Sequence, residues 1–228
     1  MGTLLNRRRY MGGKALPYDA EIEYLDSNLS KTYRNYIDTG IVPYDNHTIR
    51  FVTSVMFASK QRRAIISNYS NKSNKPSFSV ELYIQGSYER LRTYSSPIGA
   101  TQNISNIDTV SLPVDTYIDI DATIDFDEKK WYVTYEFNGD QYTFNGNVYD
   151  TTYRCVDSLL LFCDYRSDAS AIAYPLIMKY MKITVDNVLA RDYIPVRVGQ
   201  VGYMYDKISN TLFGNLGNGN FVLGPDKT

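Results

Sequence analysis

Three carboxylates, Asp119, Asp121 and Asp125, stand at odd positions of one short stretch, with Asp127 and Glu128 just beyond. On an extended strand, residues two apart share a face. Three carboxylates on one face could hold Ca²⁺ with help from nearby carbonyls. The intervening positions are Ile118, Ile120, Ala122, Ile124 and Phe126, so the same pattern also reads as a strand with one face in a core and the aspartates on the solvent side. The second reading takes precedence. Glycoside cleavage needs an acid and a nucleophile or base at a set separation, and no Glu-x-Asp-x-Glu pattern supplies them. His47 is the sole histidine; it cannot make the usual zinc set and reads as a surface turn residue. Cys155 and Cys163 are an even number of positions apart. On one strand they would face the same side, about 26 Å apart, whereas a disulfide needs Cα atoms within about 7 Å. Two reduced, buried thiols are expected, as suits a chain folded in a reducing cytosol. No catalytic residue, metal set or cofactor site follows from these residues.

One further group stands apart. Residues 1–17 contain Arg7, Arg8, Arg9 and Tyr10, then Gly12-Gly13 and Pro17. They form either a solvated arm or a peg docked on a neighbouring subunit. The planar donor fork of arginine suits carboxylate-lined interfaces, and docking through Arg7, Arg8, Arg9 and Tyr10 is the expectation here.

The elements that must position these residues are strands. Thr48 to Phe57 and Phe78 to Ile84 alternate apolar and polar residues. Arg62 to Ser67 and Arg90 to Tyr94 are further candidates, and Pro97 to Asp108 reads as a long loop. The clearest signal is a meander of Tyr117 to Phe126, Trp131 to Phe137 and Gln141 to Phe144. Its second turn is Asn138-Gly139, a pair that tolerates positive φ. Ser158 to Tyr165 is almost continuously apolar and reads as one central strand. Ala171 to Val185, the longest run without glycine, could be read as a short helix, but Ile183, Val185 and Val188 flank an Asp186-Asn187 turn, so strand-turn-strand into Arg191 is preferred. A last hairpin closes over Lys207 to Asn210. No helical periodicity competes, and the pattern predicts an all-β sandwich.

Two motifs bracket this region. Ala20-Glu21-Ile22-Glu23-Tyr24-Leu25 and Tyr36-Ile37-Asp38-Thr39-Gly40-Ile41 open it. Arg191-Asp192-Tyr193-Ile194-Pro195 and Gly202-Tyr203-Met204-Tyr205-Asp206-Lys207-Ile208-Ser209-Asn210-Thr211-Leu212-Phe213-Gly214-Asn215 close it. Together they resemble the laminin-G-like, concanavalin A-like jelly rolls of gut bacteria and of virion proteins of their tailed phages, including the crAss-like type. The resemblance spans about residues 18 to 224. It departs from the pattern at the extended polar insert Asp26 to Asn35 and at the short Gly199-Gln200 turn. It implies a two-sheet antiparallel jelly-roll sandwich over 18–228, preceded by the short N-terminal arm 1–17.

Composition narrows the function classes. A formal charge of -1 gives no basic face for nucleic acid. No apolar run reaches the roughly 18 residues of a membrane span, and the first residues lack the apolar run of a secretory signal. The 22 tyrosines outnumber 9 phenylalanines and 1 tryptophan, which suits half-buried sheet faces and interfaces. The resemblance then implies a non-enzymatic virion protein, made in the host cytoplasm, in a head fibre, tail fibre or similar appendage. Its expected partners are capsid or appendage subunits and further copies of itself. A lectin-like module for host-surface glycans is the alternative.

Overall fold

The structure is a computed structural model that describes residues 10–11, 14–27, 35–44, 47–57, 63–68, 77–85, 88–96, 104–148, 157–165, 171–173 and 176–228. Among them every regular element is a strand: β1 (Tyr10–Met11), β2 (Lys14–Ala15), β3 (Ala20–Glu21), β4 (Leu25–Asp26), β5 (Ile37–Asp38), β6 (Thr48–Met56), β7 (Arg63–Ser67), β8 (Ser77–Gln85), β9 (Tyr88–Ser96), β10 (Ile104–Ile107), β11 (Tyr117–Asp125), β12 (Lys130–Phe137), β13 (Asp140–Asn147), β14 (Leu160–Leu161), β15 (Cys163–Tyr165), β16 (Ala171–Ala173), β17 (Ile177–Val185), β18 (Val188–Val198), β19 (Val201–Asp206), β20 (Thr211–Phe213) and β21 (Val222–Leu223). One sheet runs β10-β9-β8-β7-β14-β5. The larger runs β13-β12-β11-β6-β17-β18-β19-β20, with β3, β4 and β21 joined to it. All pairings are antiparallel, so the chain folds as the two-sheet sandwich that its alternation predicts.

The core lies between the sheets. From the larger one come Ile49, Phe51, Val55, Ile118, Ile120, Ala122, Ile124, Trp131 and Val133. From the smaller come Phe78, Val80, Leu82 and Leu91. The ring of Phe78 meets Phe126 and Trp131 edge-on at centroid distances of 5.7 and 5.9 Å, a preferred aromatic geometry. Tight turns follow the sequence: Asn138 and Gly139 have φ of 55° and 84°, and Asp186 and Asn187 have 48° and 64°, as hairpin turns of this twist require.

Two expectations are corrected. Ser158 to Tyr165 is not one strand. Phe162 takes φ of 66°, so Leu160–Leu161 pairs with β7 and β5 while Cys163–Tyr165 departs to pair with β16. Phe162 is buried and packs on Phe221 at 5.1 Å, which holds the unusual backbone. Cys163 is a buried thiol, and Cys155 lies outside the described residues. The segment read as a loop from Pro97 to Asp108 contains β10. It is held by Asn106, whose amide donates to the Asn147 carbonyl at 2.9 Å and accepts from the Asn147 N–H at 3.1 Å. This clasp ties the small sheet to the edge of the large one.

Gly146 makes the clasp possible. A Cβ there would fall 2.3 Å from Asn106 Cγ. Gly146→Ala must therefore expel the Asn106 side chain and its hydrogen bonds. We expect a loss of about 2 kcal/mol, read as a lower urea midpoint with an unchanged denaturant slope.

The bracketing motifs meet in space. Arg191 donates through Nε and Nη2 to the Thr39 carbonyl at 3.1 and 3.0 Å. Asn215 accepts the Tyr36 N–H at 3.0 Å and donates to Asn35 Oδ1 at 3.0 Å. Their joint occurrence in the sequence thus has a mechanical cause: the closing motif holds the opening one.

Candidate functional site

The residues singled out from sequence separate in the structure. Asp119, Asp121 and Asp125 do share the outer face of β11, but with different partners. Asp121 accepts from Arg50 Nε at 2.8 Å. Asp125 Oδ1 caps the following turn, accepting the N–H groups of Asp127 and Glu128 at 3.0 and 2.8 Å. Asp119 is exposed. Among the described residues, no three of His, Cys, Asp and Glu converge as metal ligands. His47 Nδ1 pairs with Asp186 Oδ2. The Thr48 N–H holds the Asp186 carboxyl below the usual range; burial opposes this and the His47 ring adds to it. His47 thus pins the strand-end turns together. Arg7, Arg8 and Arg9 lie outside the described residues. Tyr10 lies on β1, whose backbone pairs with β2 in the register Tyr10↔Ala15.

The outer face of the larger sheet carries a different site. β17 and β18 pair only from Met181↔Tyr193 to Val185↔Val188, and then they part. Beyond the fork, β4 takes up β17 at Met178↔Leu25, and β3 takes up β18 at Val196↔Glu21. The short segment between β3 and β4 crosses the fork and is fastened by the tail: Glu23 N–H donates to the Pro225 carbonyl at 2.9 Å and Gly224 N–H to Tyr24 at 3.0 Å. An open groove of about 750 Å³ lies over this fork, lined by Glu23, Val52, Lys179, Tyr180, Lys182, Asp192, Ile194, Lys207, Lys227 and Thr228.

A β-bulge aims its central side chains. Opposite β6, Met178 pairs with Val55 and Tyr180 with Ser54, so Lys179 has no partner of its own. A bulge lets two adjacent residues face the same way. Met178 and Met181 are both fully buried, three positions apart, while Lys179 and Tyr180 between them both lie on the outer side. The Thr53 hydroxyl donates to the Tyr180 carbonyl at 2.6 Å and fixes the bulge from within. Lys179 Nζ then sits 3.4 Å over the Tyr117 ring, a cation–π contact. Lys207 Nζ stands 4.0 Å from Asp192 Oδ2.

The electrostatics are mixed but lean positive, with four lysines against the side chains of Glu23 and Asp192 and the terminal carboxylate of Thr228. Burial, then the neighbouring Tyr24, Glu23 and Asp26, pushes the Tyr117 phenol up to about 12. Tyr180 is also raised, by burial and then by Asp119 and Asp121. Both phenols therefore stay neutral at physiological pH and keep a proton to donate. The arrangement offers ring edges and faces, an apolar floor at Val52 and Ile194, and ammonium and phenol donors around it. It can bind a polar ligand.

The sequence reading did not reach this site. Its one local signal is the pair of methionines three apart in Met178-Lys179-Tyr180-Met181, which breaks the alternation of an otherwise regular strand.

The architecture has solved counterparts. A putative carbohydrate-binding protein from Bacteroides ovatus superposes with a TM-score of 0.56 at 11% identity, over 91% of this chain and 61% of that one. A heptameric SAP-like pentraxin from Limulus polyphemus gives 0.54 at 9% identity, over 91% and 96%. The fold is a two-sheet antiparallel jelly-roll sandwich. The enzymatically active domain of tailspike protein 2 from bacteriophage CBA120 gives 0.51 at 12% identity, over 79% of this chain and 30% of that one. This chain thus spans less than two thirds of the Bacteroides and tailspike chains. No protein-family model and no curated protein sequence matches it.

Proposed function

We propose that this chain is a non-enzymatic, glycan-binding sandwich module displayed on a phage particle, with the fork groove as its binding site. The groove itself carries the reading. Its volume falls in the range of small-ligand sites, roughly 300 to 1,000 Å³. The half-buried ring of Tyr180 beside flexible lysine donors suits a ligand that presents both apolar faces and hydroxyls. Two of the fold's solved counterparts, a putative carbohydrate-binding protein and a tailspike domain, support it. In this reading residues 1–17 fix the module to the particle through Arg7, Arg8, Arg9 and Tyr10, in a head fibre or similar surface appendage. Neighbouring copies then form a closed oligomer.

The test is a screen of the full chain against bacterial surface oligosaccharides, followed by titration of Tyr180→Ala with any glycan that binds. The substitution is expected to weaken binding by about tenfold or more, since a ring contact and a donor are both lost. Binding that Tyr180→Ala leaves intact would remove the groove from the account. Release of new reducing ends from any bound polysaccharide would overturn the non-enzymatic part.

A further inference from the structure

We propose that the ligand of the fork groove is an anionic glycan, one whose sugars carry carboxylate, sulfate or phosphate groups, with an anionic group seated on Lys182. The inference rests on the groove being a glycan site and adds the class of sugar. The chain as a whole has a formal charge of -1, yet the groove gathers Lys179, Lys182, Lys207 and Lys227 against the side chains of Glu23 and Asp192 and the terminal carboxylate of Thr228. Such a local reversal of sign is what electrostatic complementarity to an anion requires.

The lysines are not equivalent. Lys179 is held over the Tyr117 ring, and Lys207 stands by Asp192. Lys182 lies between Val52 and Asp192 in register, and its side chain is exposed. Among the described residues it makes no ion pair, although Asp192 is directly across from it. Its ammonium retains three donors for a ligand. A lysine fits this task as a mobile point charge that can meet a carboxylate, a sulfate or a phosphate, where arginine would demand a planar fork-to-fork match. The Tyr180 phenol, which lines the same groove, remains neutral, so it donates to sugar hydroxyls without opposing the anion. The lysines and Tyr180 thus divide the ligand between them: charge to the former, ring and hydroxyls to the latter.

The experiment compares three probes on the full chain: oligogalacturonate, its methyl-esterified neutral form, and a sulfated dextran oligosaccharide, with inorganic phosphate as competitor. Calorimetric titration is expected to show the charged probes binding about tenfold or more tighter than the ester. That affinity should fall as salt is raised, because exposed charges are screened. Lys182→Gln should lose most of the preference, and Lys182→Arg should keep part of it. Lys182 is exposed, so an unchanged melting temperature will show that the variants fold. Which charged probe wins, and whether phosphate competes, identifies the anionic group. Equal binding of the ester, unaltered in Lys182→Gln but weakened in Tyr180→Ala, overturns the anionic class while leaving the groove as a glycan site. Binding of no charged probe also overturns it. Binding of polyglutamate in place of every sugar overturns both the anionic-glycan inference and the glycan reading beneath it.

Discussion

Arg92→Met is expected to cost about 3 to 5 kcal/mol in folding stability, the penalty for leaving a buried charge without its partner. Glu81 and Arg92 face each other across β8 and β9. Arg92 Nε donates to Glu81 Oε1 at 2.6 Å. The Glu81 side chain is fully buried and that of Arg92 is 9% exposed. Arg92 also lies over the rings of Tyr83 and Tyr94 at 4.0 and 5.6 Å, so the substitution removes cation–π contacts as well. The double variant Glu81→Leu with Arg92→Met should recover most of the loss, because a well-packed apolar pair can replace a buried ion pair at little cost. Urea denaturation of the three proteins decides. A loss below about 1 kcal/mol in Arg92→Met would match a solvated, surface pair instead.

The position of that pair matters for function. Phe78, Val80 and Leu82 point from β8 into the core, so the alternating residues Ser79 and Glu81 stand on the opposite face of the small sheet, with Arg92 and Tyr94 beside them in register. All four are buried or nearly so. Among the described strands of that sheet, this part of its outer face is therefore covered ground. The corresponding face of the large sheet holds the open fork. One sheet's outer face is buried while the other's holds the open groove.

Much of the fold was legible because its causes are local. Strict alternation in Tyr117 to Phe126 sets one face of β11 in the core. Asn138-Gly139 and Asp186-Asn187 supply the positive φ that their turns use. Phe162 was not legible, since nothing in a phenylalanine announces φ of 66°; its packing on Phe221 and its N–H, bonded to the Ile65 carbonyl at 3.2 Å, sustain it. The β10 strand was missed because four residues give too little alternation, and its anchor is Asn106 bonded to a residue 41 positions away. The site was hidden for a different reason. Its residues come from the opening segment, β6, β17, β18, the last hairpin and the tail, and they converge only because two strands part and a bulge turns Lys179 outward. A run of aspartates attracts attention in sequence; a bulged lysine does not.

Asp206 joins the recognised motif to the groove, and Asp206→Ala should damage both. The residue is fully buried. It accepts the N–H groups of Asp192 at 2.9 Å, Ile208 at 3.1 Å and Ser209 at 3.2 Å, and the Ser209 hydroxyl at 2.7 Å. Burial by itself would raise its pKa, but these donors outweigh it and hold the carboxyl below its ordinary 3.8. Truncation strands several buried donors, and a loss of about 3 kcal/mol is expected. The same carboxylate fixes the turn that carries Lys207 and the stretch that carries Asp192, so binding in the groove should weaken together with stability. Asp206→Asn keeps one acceptor oxygen and should fall between the two in both measurements. The pH dependence follows from the sign of the shift. A depressed carboxyl contributes fully above its unfolded value and loses that contribution as pH falls through the lower folded value. The stability gap between the native chain and Asp206→Ala should therefore be constant near neutrality and narrow below about pH 4. Thermal unfolding of both proteins across that window checks it: a gap independent of pH would mean that the carboxylate's charge contributes nothing to the turn. A groove that still binds normally in Asp206→Ala would separate the hairpin from the site.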